Sequence, residues 1–270
     1  MAQTAPLPGD QLDPAKMPGH WLLARMGKRV LRPGGLDLTR QMLAALDVTS
    51  DDDVVELAPG LGTTTRIVLE RHPTTYVAVE RDRAAAGLVT KLLHDEGQRC
   101  EIGTASKTGL PTESASVVFG EAMLTMQTAA QKVAIVREAS RLLRPGGRYG
   151  IHELSLTPDD LDGTVKDTIL KELSAVIRVG ARPLTSSEWR AVLEAEGLEV
   201  TFEAVAPMHL LEPGRLLADE GVAGVARIAF NVIRTPAARR RILAMRRVFR
   251  AHAERLGAIA LVARKPAEVH

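Results

Sequence analysis

Two glutamates, each closing a short apolar run, bracket a glycine-rich turn: Val54-Val55-Glu56-Leu57, then Ala58-Pro59-Gly60-Leu61-Gly62, then Tyr76-Val77-Ala78-Val79-Glu80. Apolar runs bounded by turn residues read as buried strands. The glycines let the backbone turn sharply and lie close to a ligand, and Thr63–Leu69 opens a helix whose N-terminal amides face it. Glu80, ending the second run, is set to accept hydrogen bonds from two ribose hydroxyls. The pattern describes a nucleoside-binding strand–turn–helix–strand unit. An ordinary strand–turn–helix with solvated carboxylates is the competing reading.

Three details select among nucleosides. A dinucleotide turn needs G-x-G-x-x-G, and here the third glycine is Thr65. No lysine follows the glycines, so the turn lacks the phosphate grip of a P-loop. Glu56 at the tip of the first strand would repel a pyrophosphate but attract an ammonium and a sulfonium. S-adenosylmethionine (SAM) carries both. The run Glu56-Leu57-Ala58-Pro59-Gly60-Leu61-Gly62 resembles motif I of the class I SAM-dependent methyltransferases with a Rossmann-like fold. Leu143-Arg144-Pro145-Gly146-Gly147 is similar to the L-x-P-G-G turn of that family, and the same five residues occur earlier as Leu31–Gly35. The repeat reads as turn chemistry, not as a repeated domain.

The resemblance implies roles residue by residue. Glu56 orients the methionine ammonium, Ala58, Gly60 and Gly62 allow close backbone approach, and Glu80 takes the ribose hydroxyls. Arg81 packs beside the adenine. Thr104, followed by Ala105, stands where the family commonly has an acidic residue reading the adenine amine. Glu121 and Ala122, just after the fourth strand, line the sulfonium end. The product is S-adenosylhomocysteine and no metal is needed. Methyl transfer draws on proximity and water exclusion, and an acceptor of high pKa also needs a base. His152, at the end of the fifth strand, is the candidate base, with Glu153 orienting it; a structural role for this histidine competes, and His209 is a fainter second candidate.

Elements must bring these residues together. Strands are expected near 53–57, 75–80, 100–103, 116–120 and 148–154, alternating with helices near 63–71, 82–95 and 128–143, which argues for a parallel sheet. Two helices precede them: one with Trp21, Leu22, Leu23, Met26 and Val30, and one capped by Asp37 and running to Leu46. Further helix starts are read at Thr157-Pro158 and at the capping box Thr185–Glu188. Glu199–Val205 and Gly257–Arg264 are the last strands. The ubiquinone/menaquinone-biosynthesis type of methyltransferase, which the chain resembles, joins such strands by a short hairpin; here residues 206–256 intervene as two further helices. The expected fold is α/β, a Rossmann-like seven-stranded, mostly parallel sheet with an antiparallel last strand and helices on both faces. The expected division is a disordered tail (1–15), N-terminal helices (16–50), a SAM-binding core (51–205), a helical lid (206–256) and the last core strand (257–266).

Composition bounds the partners. The chain has 270 residues, 45% of them hydrophobic, with net charge +2 and a single cysteine, Cys100. That excludes a disulfide framework and a cysteine-based zinc site. No run of about 18 apolar residues suggests a membrane span, and no signal peptide is read at the N-terminus, so the cytoplasm is the expected compartment. Asp51–Asp53 reads as a solvated turn. Residues 214–256 hold ten arginines against three acids, a charge of +7, which leaves −5 for the rest. Those arginines read as the polar face of an amphipathic lid, turned to water or to the acidic body of the protein; an RNA or membrane contact, or a clamp for an anionic substrate, competes less well, because the chain has few aromatics to stack on bases. No D/N-P-P-Y/F signature of nucleobase N-methylation follows the fourth strand. The expected partner is therefore a small, apolar methyl acceptor modified at O, N or C. An RNA-associated methyltransferase or a SAM-binding regulator using the arginine-rich helices is the alternative. A lid helix can equally form a homodimer interface.

Overall fold

The computed structural model describes residues 7–9 and 11–267. Its centre is one sheet in the order β3-β2-β1-β4-β5-β8-β7, with a two-residue β6 (Leu184–Thr185) pairing the end of β5. The strands are β1 (Asp53–Leu57), β2 (Thr75–Glu80), β3 (Gln98–Ile102), β4 (Ala115–Glu121), β5 (Leu143–Leu156), β7 (Glu199–Pro207) and β8 (Leu256–Arg264). β8 alone runs against its neighbours, pairing antiparallel with both β5 and β7. The fold is thus the expected Rossmann-like α/β sheet with an antiparallel last strand, augmented by the short β6. β1, β2, β4 and β8 are buried almost throughout, as strands covered on both faces must be.

Two apolar layers sandwich the sheet. On one face α2 (Gly35–Leu46) presents Leu38, Met42 and Leu46 to Phe119, Ala260 and Val262. On the other, α5 (Ala129–Leu142) and α7 (Ser186–Glu194) set Ile135, Val136, Trp189 and Leu193 against Val118, Ile151 and Leu261. α3 (Thr63–Leu69) and α4 (Arg83–Thr90) connect β1 to β2 and β2 to β3. The capping box of α7 forms as expected, with Thr185 and Glu188 each accepting a backbone amide of the other.

Over the carboxyl ends of the strands lies a helical cover. α1 (Gly19–Arg25), α6 (Gly163–Ile177), α8 (Pro213–Arg234) and α9 (Pro236–Ala251) supply it. α8 and α9 occupy the segment read as two inserted helices, each with a proline in its first turn. Gly221, at φ 66° and ψ 173°, breaks α8 into two pieces. Gly19 sits so close to α6 and α9 that a Cβ there would lie 3.0 Å from Met245 Sδ and 3.2 Å from Ile177 Cα.

Local readings changed in four places. Asp37 does not cap α2, whose N-cap is Gly34 in the left-handed region; it pairs with Arg215 at 2.8 Å instead. The helix expected at Thr157 begins at Gly163, where Asp162 accepts the amides of Thr164 and Val165. Within the acidic run, Asp52 is buried, not solvated, and takes Arg148 at 2.6 Å and the Ser116 hydroxyl at 2.7 Å. Of the tail expected to be disordered, residues 1–6 and 10 lie outside the described residues, while Pro8 is buried and Pro14 accepts from Arg241.

Leu261, fully buried on β8 between β5 and β7, and Leu243, half exposed on α9, should separate core from cover. Leu261→Ala is expected to cost about 2–5 kcal/mol in urea unfolding, and Leu243→Ala about 0.5 kcal/mol or less.

Candidate active site

The strand order reverses direction between β1 and β4, and in such sheets a crevice opens beyond the carboxyl ends of that pair. A cavity of about 400 Å³ lies there. Its wall on the sheet side comes from the ends of β1, β2 and β4 and the turns after them, including Glu56, Ala58, Gly60, Glu80 and Glu121. Its far wall comes from the cover and is apolar: Leu173 and Ile177 of α6, Met208 and Leu210 after β7, and Met245 and Phe249 of α9.

The turn after β1 is built for a close ligand. Ala58 (φ 55°) and Gly60 (φ 58°) both adopt the left-handed region, which costs a non-glycine residue strain and tends to be kept at functional turns. A Cβ on Gly60 would meet only the Trp21 ring at 4.0 Å, so the space above it belongs to the cavity. Gly62 differs. It does not line the cavity, and a Cβ there would come within 2.6 Å of Leu92 Cδ1. Its role is to start α3 in the left-handed region while packing against the residues after α4.

Glu56 is buried and accepts from the Thr65 hydroxyl at 2.8 Å and from the Tyr76 hydroxyl. Thr65, where a dinucleotide turn would have its third glycine, therefore holds the carboxylate in place. Burial pushes the Glu56 carboxyl up to about 7, against the pull of those hydroxyls and of Arg32. Glu80 accepts the amides of Gly60 (3.1 Å) and Asp82 (2.9 Å), which fixes its carboxylate at the cavity wall with lone pairs to spare. Arg81, Thr104, Ala105 and Ala122 line the cavity as well. Ala122 also takes a positive φ of 52°, its amide donating to the His152 carbonyl.

The residues read as catalytic stand elsewhere. His152 is fully buried and absent from the cavity wall. Its Nε2 lies 2.6 Å from the Pro33 carbonyl and must donate to it; its Nδ1 faces Glu121 Oε1 at 2.9 Å and Thr39 Oγ1 at 3.3 Å. Burial and the Arg32 guanidinium push its pKa down to about 3. Neither ring nitrogen is free to serve an acceptor. Glu153 points to the other side, where its carboxylate accepts the amides of Met123, Leu124 and Thr125 and the Thr125 hydroxyl. Each is tied to the end of β4 or the loop after it, and no hydrogen bond joins the two side chains. His209, the fainter candidate, is exposed and also lies off the cavity wall.

Three cavity residues escaped the sequence reading. Arg32 is buried, ion-paired to Glu121 and hydrogen-bonded to Thr64, which in turn donates to Glu121. Burial lowers its pKa to about 10, so it stays charged at neutral pH. Its only signal was the first Leu-Arg-Pro-Gly-Gly copy, whose second copy puts Arg144 on the surface, paired to Asp53. His20 and Trp21, on α1, cover the turn after β1, with ring centroids 4.6 Å apart. Burial, and then Arg81, lower the His20 pKa to about 4, so its imidazole is neutral at physiological pH. Among the described residues, no group of three or more His, Cys, Asp or Glu could hold a metal ion.

Residues 55–151 match the family model described as a methyltransferase domain. An uncharacterized protein of Haemophilus influenzae is 30% identical over 220 residues, 80% of this chain and 86% of that protein. Among solved structures, the [4+2]-cyclase SpnF superposes with a TM-score of 0.71 at 14% identity, covering 98% of both chains. Phosphoethanolamine N-methyltransferase 2 of Haemonchus contortus, in complex with S-adenosyl-L-methionine, superposes at 0.69 with 13% identity, over 92% of this chain and 57% of that one. At such identities the two superpositions concern the fold alone.

The Arg32–Glu121 pair sets a stability test. Arg32→Met strands a buried carboxylate and is expected to cost about 3–5 kcal/mol. The double variant Arg32→Met/Glu121→Met should recover most of that loss in denaturant unfolding.

Proposed function

The chain belongs to the class I SAM-dependent methyltransferases, and from that premise we propose that it methylates a small, apolar metabolite at O, N or C, held between the sheet and the helical cover. One observation carries this reading: a single cavity joins a polar wall bearing Glu56 and Glu80 to an apolar wall from α6 and α9. SAM is the cofactor of this family, and when bound it supplies an electrophilic methyl group on a sulfonium. Glu80 accepts the ribose hydroxyls, with its geometry set by the Gly60 and Asp82 amides. Gly60 and Ala58 allow the backbone to approach. Arg81, Thr104 and Ala105 border the adenine, and Trp21 closes over the turn from above.

Charge balance supports the assignment of the methionine end. Arg32, Glu121 and ionised Glu56 together carry −1. The ammonium, carboxylate and sulfonium of SAM carry +1. Glu56 pairs with the ammonium and Arg32 reaches the carboxylate, while Glu121 and Ala122 lie at the sulfonium. His152, with its Nε2–H donated to the Pro33 carbonyl, packs its ring beside Glu121, and Glu153 shapes the loop after β4; both act at one remove from the reacting atoms. Where the acceptor must lose a proton, His20 is the neutral imidazole at the cavity wall. Apolar closure by α1, α6 and α9 excludes water and aligns the acceptor. The +7 of residues 214–256 is compatible with the alternative of an RNA-associated enzyme or SAM-binding regulator, but no observation at the cavity favours it.

Calorimetric titration tests the site directly. Glu80→Ala and Gly60→Val are expected to abolish SAM binding, the second by filling the cavity above the turn. Methyl uptake by apolar acceptors, but not by RNA, is the expected activity. SAM affinity should also depend on pH. With its carboxyl raised to about 7, Glu56 is protonated in the empty site below that pH, and the ammonium binds only the ionised form. Affinity should therefore fall as pH drops below about 7, approaching tenfold per unit, and Glu56→Gln should bind weakly without that slope. His152→Gln should leave the pH profile of turnover unchanged, whereas a lost limb would restore His152 as the base.

A further inference from the structure

α8 and α9 also present outward faces that the cavity does not use. On the second piece of α8, Val222, Phe230 and Ile233 are 76%, 56% and 69% exposed. With exposed Ala226 and Ala229 they recur at helical spacing and form one apolar stripe. The opposite side of the same helix is already docked, through buried Gly224 and through Asn231, which donates to the Met26 carbonyl. The stripe is therefore not a core face that slipped outward. α9 turns Arg239, Arg240, Leu243 and Arg247 to solvent. Among the described residues, the side chains of these three arginines have no hydrogen bond or ion pair, unlike Arg246 and Arg250, which both grip Glu212. Residues 221–253 hold eight arginines and no acid.

We propose that the outward faces of α8 and α9 dock this protein on an anionic lipid surface. An apolar helical stripe beside unpaired arginines matches interfacial binding, in which apolar side chains enter the headgroup boundary and cations meet anionic lipids. The charge distribution orients the molecule, since residues 214–256 carry +7 and the remainder of the chain −5. A second copy fits less well. A symmetric contact through the stripe would bring Arg227, Arg234 and the α9 arginines of both copies together with no acid on the face to pair them. Nucleic acid fits less well too, because it would leave Val222 and Ile233 without apolar partners, and Phe230 is the one large aromatic on the stripe. The inner face of α9 carries Met245 and Phe249 of the cavity wall, so the docked face and the apolar end of the cavity share one helix.

Cosedimentation of the full chain with phosphatidylcholine vesicles, and with vesicles in which about one-third of the lipid is phosphatidylglycerol, decides the matter. Binding is expected only to the anionic vesicles, and it should weaken as salt rises. The triple variant Arg239→Gln/Arg240→Gln/Arg247→Gln should bind about a hundredfold more weakly, at about 1 kcal/mol per arginine. Phe230→Ser/Ile233→Ser should bind at least about tenfold more weakly. Both variants should keep the unfolding midpoint of the parent, which shows that they fold. Equal sedimentation with both lipids, none with either, or variants that bind like the parent would overturn the proposal. So would a dimer in sedimentation velocity that Phe230→Ser/Ile233→Ser dissolves, or tighter binding to an RNA oligonucleotide than to anionic vesicles.

Discussion

The buried carboxylate of Glu121 is the point on which the surrounding structure converges. Its two oxygens are contacted by Arg32 from the loop before α2, Thr39 from α2, Thr64 from α3 and His152 from β5. A buried charge is tolerable only when paired and hydrogen-bonded, so these four elements cannot move independently of the end of β4. His152 extends the chain of contacts to the Pro33 carbonyl, which secures the same loop a second time. The cost of burying the pair is offset by geometry: the N-terminal segment is drawn over the sheet, and the turn after β1 gains a roof.

A second ionic cluster fixes the cover to that loop. Glu220 accepts the amides of Arg29 and Val30, and Asp219 accepts that of Leu36. Buried Lys28 lies 3.6 Å from Glu220 and 3.9 Å from Asp219, and burial lowers its pKa despite both carboxylates. The first piece of α8 is thereby joined to the segment carrying Arg32. Gly221 follows at once and redirects the helix, so one piece faces the body of the protein and the other displays its apolar stripe. The arginines divide in the same way. Some neutralise nearby carboxylates, as at Glu212, whose pKa two arginines lower to about 2, and some remain free.

What the sequence by itself determined was local and periodic. The strand–turn–helix–strand from Val54 to Glu80, the parallel alternation after it and the capping box at Thr185 all follow from neighbouring residue types. Nine of the ten residues assigned to SAM on motif resemblance, all but Gly62, line one cavity because strand ends and their turns project to the same edge. Side-chain destinations across long separations were decided by the tertiary structure alone. Whether a histidine at a strand end meets solvent, substrate or a carbonyl depends on what packs over it, and for His152 that is Pro33, 119 residues away. Trp21 carries no local signal for a site that β1 and β4 create, Arg32 only a turn motif whose second copy lies at the surface, and Gly62 reads like Gly60 until Leu92 is seen against it. Local propensity acts between neighbours in the chain, whereas burial, pairing and the resulting pKa shifts belong to contacts that exist only once the chain is folded.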